Sequence, residues 1–336
     1  MSALRQVRGW FSAKRRFEFC LTLVMVTGLT AACGALLMLP NSVLPTLRAV
    51  APGPESGQVT ASDPQVPQVK RLMEGYGKVI AESVTTGSNR GGIVLGHATR
   101  SADVDVLAGE LAAATVAVSA LWGADWSQAP VVVVAASTAE FAALTGSTGD
   151  VPAEVAAVTV SDVFRPGDRP TGQRVVFGPE AGRRLGADGL RTVLRHELTH
   201  VATRAVTAEG SPQWLLEGFA EYAAHRGSAG TVAEIAPALT ARARTGALPA
   251  ELPADVVFEP ASGQAALAYE QAWSACAFLA DRFGEGRLVT LYRELARGPR
   301  DHAAVDAAFR EVIATPYADF LTDWRTWITS RTTEGA

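Results

Sequence analysis

The chain has 336 residues, enough for one sizeable domain or two modest ones with appendages. It is 48% hydrophobic and 19% charged, ordinary for a globular protein that also carries a membrane span. A formal net charge of -4 offers no basic face, which argues against a nucleic-acid partner.

At the N-terminus, residues 1–18 form a basic tail holding Arg5, Arg8, Lys14, Arg15 and Arg16. Residues 19–39 follow as 21 positions without a charge, enough to cross a hydrocarbon core of about 30 Å at about 1.5 Å per residue. The next positive residue is Arg48, so the positive-inside rule leaves the tail in the cytoplasm and the rest of the chain outside. A cleaved signal peptide is the competing reading; the run is long for one, and Pro52 follows the Ala49-Val50-Ala51 site. The expectation is a single-pass cell-membrane protein whose C-terminal part is extracytoplasmic. Residues 40–68, with six prolines among Ser, Gly, Gln and Thr, read as an extended stalk.

From 69 to 188, helical and strand-like stretches alternate. Residues 102–122 space their apolar positions for a helix, and Val131 to Ala135 is an apolar run suited to a buried strand. Ser137 to Glu140 reads as a capping box on a short helix that Gly146 closes. Val155 to Val160 and Gln173 to Phe177 read as two further strands. From 189 to 336 helical patterns dominate, over 189–205, 212–225, 230–244, 263–283, 285–297, 301–314 and 316–330. Ser211 is the expected N-cap of the second of these, with Pro212 at its first position. Trp324 and Trp327 read as core, as does Cys276, which lies outside the apolar run that holds Cys20 and Cys33.

The chemistry concentrates in Arg195-His196-Glu197-Leu198-Thr199-His200. Histidines four apart lie one turn above the other on one helix face, where both imidazoles can reach one metal ion. Glu197, beside the first of them, is placed to take a proton from the attacking water. Only five histidines occur in the chain, so two in this frame are unlike a chance match. A catalytic zinc needs a third protein ligand. Beyond His200 comes Trp214-Leu215-Leu216-Glu217-Gly218-Phe219-Ala220-Glu221-Tyr222.

The two phrases together resemble the gluzincin zinc metallopeptidases, and above all the membrane aminopeptidases and the smaller bacterial peptidases grouped with them. That resemblance implies Glu217 as the third zinc ligand and Glu221 as a carboxylate orienting a zinc-bound histidine, with Glu221 as ligand the minor alternative. It also implies that Tyr269, in Tyr269-Glu270-Gln271-Ala272, donates to the oxyanion, although Gln271 and Ala272 depart from the family phrase. The Gly-x-Met-Glu-Asn segment that holds a substrate's free amino terminus is absent, which favours endopeptidase over aminopeptidase action. Thr203 and Val206 stand where metzincins need Gly and His. His97, His225 and His302 have no matched role.

The implied fold is α+β and zincin-like: a small sheet with an N-terminal helix, a mainly helical C-terminal half, and zinc between them. By the same resemblance Gln173 to Phe177 is the edge strand, pairing with an extended peptide or protein substrate. Two rivals stay open, a zinc-bearing peptide-binding module without turnover and a non-peptide zinc hydrolase.

Overall fold

The computed structural model describes residues 63–86, 90–147, 155–163, 168–259 and 262–333. The basic tail, the apolar run of 19–39 and the stalk as far as residue 62 lie outside them. The last stalk residues, 66–68, are already the first turn of helix α1 (Val66–Glu74). Pro67 suits that turn because its missing N–H has no helical partner there in any case. Val66, Val69 and Met73, three and four apart, face inward.

Five strands form one mixed sheet: β1 (Val79–Thr86), β2 (Arg90–His97), β3 (Val131–Val134), β4 (Ala157–Val160) and β5 (Arg174–Phe177), in the order β1-β2-β3-β5-β4. β2, β3 and β5 run parallel, with Val94 beside Val132 and Val132 beside Val175. β1 and β4 are antiparallel edges. This corrects the expected edge: β5 lies inside the sheet, between β3 and β4. The physical sign is burial on both faces, Val175, Val176 and Phe177 being inaccessible, whereas half of β4 is partly exposed. The hairpin of β1 and β2 is a further element that the sequence pattern did not separate.

Helix α1 and helix α3 (Thr138–Thr145) cover one face of the sheet. The other face carries α2 (Ser101–Trp122) and α4 (Ala181–Thr203). α2 turns Val104, Leu107, Leu111, Ala114 and Val118 into the core at helical spacing. Ala98–Trp122 is, among the described residues, the one helix long and apolar enough to cross a membrane, and here it packs within the core. Its close seat needs glycines on β2: a Cβ at Gly92 would come 2.9 Å from Leu111 and one at Gly96 2.5 Å from Val104. α3 is capped by Ser137, whose Oγ accepts the Glu140 N–H, and it ends at Gly146 in the left-handed region. The Glu140 carboxylate does not complete the box; it takes the Ala136 N–H and His97 instead.

The helical half continues with α5 (Gln213–His225), α6 (Val232–Ile235), α7 (Pro237–Arg244), α8 (Ala265–Phe283), α9 (Glu285–Leu295), α10 (His302–Ile313) and α11 (Tyr317–Thr333). The helix expected over 230–244 is broken at Ala236, because Pro237 cannot donate back into the preceding turn. Helix α4 bends at Gly186, whose φ of 64° only glycine adopts freely, and the 188/189 boundary falls inside it. One continuous core joins the sheet face, α2, α4 and the later helices. Trp324 is buried in it, its indole N–H donating to Ser274 at 3.0 Å, while Trp327 is half-buried and donates to Asp281.

Candidate metal centre

Local spacing builds the first half of the site. His196 and His200 stand four apart on α4, one turn above the other, and their Nε2 atoms are 3.0 Å apart. Helix α5 packs on α4 and brings in Glu217, whose Oε2 lies 3.3 Å from His196 Nε2 and 3.6 Å from His200 Nε2. All three side chains are buried. The position of α5 is set from two sides. Ser211 does not cap it, since its hydroxyl donates to Ala208; Pro212 is extended at the cap, and Asp255 accepts the Gln213 N–H at 2.8 Å. On the other flank Gly218 lets the α8 backbone come so close that any Cβ would overlap the Ala272 carbonyl.

The donor set can be tested for metal. Ligand atoms on a tetrahedron with zinc bonds of about 2.0–2.1 Å stand about 3.3 Å apart. The three observed spacings, 3.0, 3.3 and 3.6 Å, bracket that figure. Neither Glu217 oxygen accepts a hydrogen bond among the described residues, although the carboxylate is fully buried. A buried carboxylate in that state is costly unless a cation meets it. Two imidazole nitrogens and one carboxylate oxygen suit zinc and leave a fourth position open. The residues fit the ion.

Around the three donors the charges are arranged in favour of a cation. Glu221 lies one turn beyond Glu217, its Oε1 3.2 Å from His196 Nδ1 and its Oε2 3.5 Å from His225 Nε2. Burial would raise the Glu221 pKa, but contacts with His196 and His225 outweigh it and pull the group down to about 2. Burial likewise opposes ionisation of Glu217, and the two histidines more than reverse it, holding the carboxylate far below its ordinary range. For His196, burial pushes the pKa down and the two carboxylates push it well above the usual value.

Glu197 stands apart from the donor trio. Its buried Oε2 accepts the Thr159 hydroxyl of edge strand β4 at 2.7 Å, and that hydroxyl also lies 3.1 Å from the Glu197 carbonyl oxygen. Tyr269 is fully buried one turn into α8, its ring centroid 6.5 Å from that of His196 and 5.3 Å from that of Phe258. The structure thus gathers His196, Glu197, His200, Glu217, Glu221 and Tyr269 into one neighbourhood. Sequence spacing did not point to three further residues there. Thr159 and Asp255 act across long sequence separations and leave no local signal. Glu270 follows Tyr269; burial raises its pKa to about 7 against the backbone N–H groups of Leu239 and Ala238 that it accepts. Of the other histidines, His97 is a buried partner of Glu140 at 2.7 Å, and His302 stacks edge-on to Tyr317.

Comparison with known proteins agrees at the level of the superfamily. Residues 184–330 match the model of the Peptidase MA superfamily, a span containing all six of these residues. That match bears out the resemblance carried by the two sequence phrases. Among curated proteins none matches the chain. Of solved structures, the chain is similar to a two-domain M1 zinc metallopeptidase mutant bound to L-arginine, at 17% identity and a TM-score of 0.44. The likeness covers 76% of this chain, which spans only 52% of that one.

Proposed function

We propose that the chain is a membrane-anchored zinc metallopeptidase in which His196, His200 and Glu217 hold the ion and Glu197 is the general base. The observation that carries this reading is the convergence of three buried donors, at spacings that would suit tetrahedral zinc, beside the buried carboxylate of Glu197. The superfamily match over the same residues supports it. Bound zinc supplies a Lewis acid that polarises a carbonyl and brings the pKa of a water down to about 7. Glu197 takes that water's proton on its carboxylate and returns it to the leaving amine. Thr159 holds this carboxylate in place through Oε2. Tyr269 donates to the oxyanion, a contribution of about 3 kcal/mol of barrier for a well-placed donor. Glu221, whose Oε1 lies 3.2 Å from His196 Nδ1, is the carboxylate placed to fix the tautomer of that ring.

The substrate is a peptide or protein segment. It binds extended against β4, the strand whose Thr159 touches Glu197 and whose outer edge pairs with no other strand among the described residues. Endopeptidase action follows from the missing amino-terminus-binding segment. Residues 19–39 anchor the chain, with everything after 40 extracytoplasmic. Protease added to intact protoplasts removes the body of such a protein; full protection reverses the topology.

The deciding experiment is cleavage of a peptide library by the purified full chain, with and without a chelator. Cleavage that chelator abolishes and zinc restores is the expected result. Zinc bound without cleavage of any peptide would overturn the peptidase reading, and chelator-resistant cleavage would overturn the metal.

A further inference from the structure

Glu221 has two oxygens, and both are engaged. Oε1 faces His196 Nδ1 at 3.2 Å and Oε2 faces His225 Nε2 at 3.5 Å. His225 is the last residue of α5, one turn beyond Glu221, and its side chain is 25% exposed where Glu221 is buried. Its ring stands edge-on to the Trp273 indole of α8, at 6.4 Å between centroids and 77° between planes. A continuous line therefore runs from the donor atoms outward through His196, Glu221 and His225.

We infer that His225 is a positioning residue for the metal centre, acting on the ion through Glu221 and His196. This rests on the assignment of His196 as a zinc ligand. The physical case is one of restraint. A carboxylate held at one oxygen can rotate about its last bond and offer His196 a misaligned partner. Held at both, it presents Oε1 to Nδ1 in one orientation, which fixes the imidazole tautomer and ring plane that leave the Nε2 lone pair aimed inward. The same approach, at 3.5 Å, sets an imidazole beside an anionic oxygen whose desolvation would otherwise oppose the ionised state of Glu221. Trp273 contributes by limiting where the His225 ring can stand. Helical geometry makes the arrangement compact, since 217, 221 and 225 are successive fours on one face of α5. One helix face thus supplies a ligand, the residue that orients a ligand, and the residue that orients that residue.

The test is a zinc titration of the purified full chain against a competing chelator, run on wild type, His225→Ala, His225→Gln, Glu221→Gln and the double variant Glu221→Gln with His225→Ala. Partners behind metal-binding histidines are typically worth about 10–100-fold in affinity, and a residue one step further out should give about 10-fold for His225→Ala. His225→Gln keeps an N–H at nearly the same reach and should recover most of that loss. In the Glu221→Gln background the Ala substitution should shift affinity by about 2-fold or less, because the path to the ion is already cut. Thermal unfolding of the metal-free variants separates this from general damage, and their midpoints should lie close together. Wild-type affinity in His225→Ala, or an equal loss with Glu221 already replaced, overturns the inference while leaving the zinc site standing. Failure of wild type itself to bind zinc overturns the site reading beneath it.

Discussion

The Thr159 hydroxyl of the edge strand donates to the Glu197 carboxylate at 2.7 Å, tying the sheet to the middle of the histidine helix across 38 positions of sequence. Thr159 pairs with Val175 of β5, so its place is set by the sheet's register rather than by a mobile loop. Glu197 is thereby held without touching the three donors. Replacing Thr159 by Val keeps the shape and the strand propensity but removes the donor. A hydrogen bond to a charged group is worth about 1.5–3 kcal/mol, so peptide cleavage should fall by about tenfold or more with zinc content unchanged. Thr159→Ser should restore most of it. Steady-state rates on one peptide decide the matter; a Val variant as fast as wild type means the hydroxyl is incidental.

Glu217 and Glu221 sit one turn apart on α5, and position along the helix does not distinguish ligand from supporting carboxylate. Their neighbours do. Glu217 Oε2 faces both Nε2 atoms, whereas Glu221 faces His196 Nδ1, on the far side of the ring. Glu217→Gln should leave two protein ligands and lose most zinc. Glu221→Gln should weaken binding by about 10–100-fold while retaining the ion at saturating metal. A chelator-competition titration in which Glu221→Gln is the worse variant would exchange their roles.

Helical spacing made the first half of this site legible in the sequence. His196, Glu197 and His200 need nothing beyond one turn of one helix, whereas Glu217 and Glu221 were implied only by the resemblance of their phrase to the gluzincin peptidases. What sequence could not deliver is the set of contacts made across the fold. The order of strands placed β4, not β5, at the edge, and the only local sign was that Val175 to Phe177 is apolar at successive positions while Thr159 interrupts β4. The same limit hid the cap of α5: Ser211-Pro212 has the form of a helix start, but the partner of the Gln213 N–H is Asp255, supplied from 42 residues away. Fold class fared better, since a valine-rich buried strand, a long apolar helix and a run of amphipathic helices each follow from periodicity alone.

Gly218, next to Glu217 in sequence, faces the α8 backbone. A Cβ there would overlap the Ala272 carbonyl and come 3.0 Å from Cys276 Sγ. The obstacle is backbone, which cannot rotate aside, so α5 and α8 must separate. Overpacking of this sort costs about 1–3 kcal/mol, and Gly218→Ala should lie at the upper end despite alanine's better helix propensity. Because Tyr269 is on α8 and Glu217 on α5, the same shift should also move Tyr269 away from the donor trio and lower peptide cleavage. Denaturant unfolding of the metal-free variant measures the first effect; unchanged stability would show that the two helices tolerate a wider spacing.

Glu197→Gln separates holding the ion from moving the proton. His196 and His200 converge with Glu217, while Glu197 is turned to Thr159, so its loss should leave zinc in place. Gln preserves the volume and can still accept the Thr159 hydroxyl through its amide oxygen. It cannot take a proton from water at neutral pH. General-base contributions are typically about 10²–10⁴-fold, which puts residual turnover near the limit of detection. The expectation is independent of which peptide is cut, because the proton must leave the attacking water in any hydrolysis at this site. Zinc content and cleavage must be measured on the same preparation. A variant that keeps its zinc and cuts at a comparable rate would refute Glu197 as the base and leave the metal assignment intact; one that loses its zinc as well would show that Glu197 helps to hold the ion, and the division of labour along α4 would need to be redrawn.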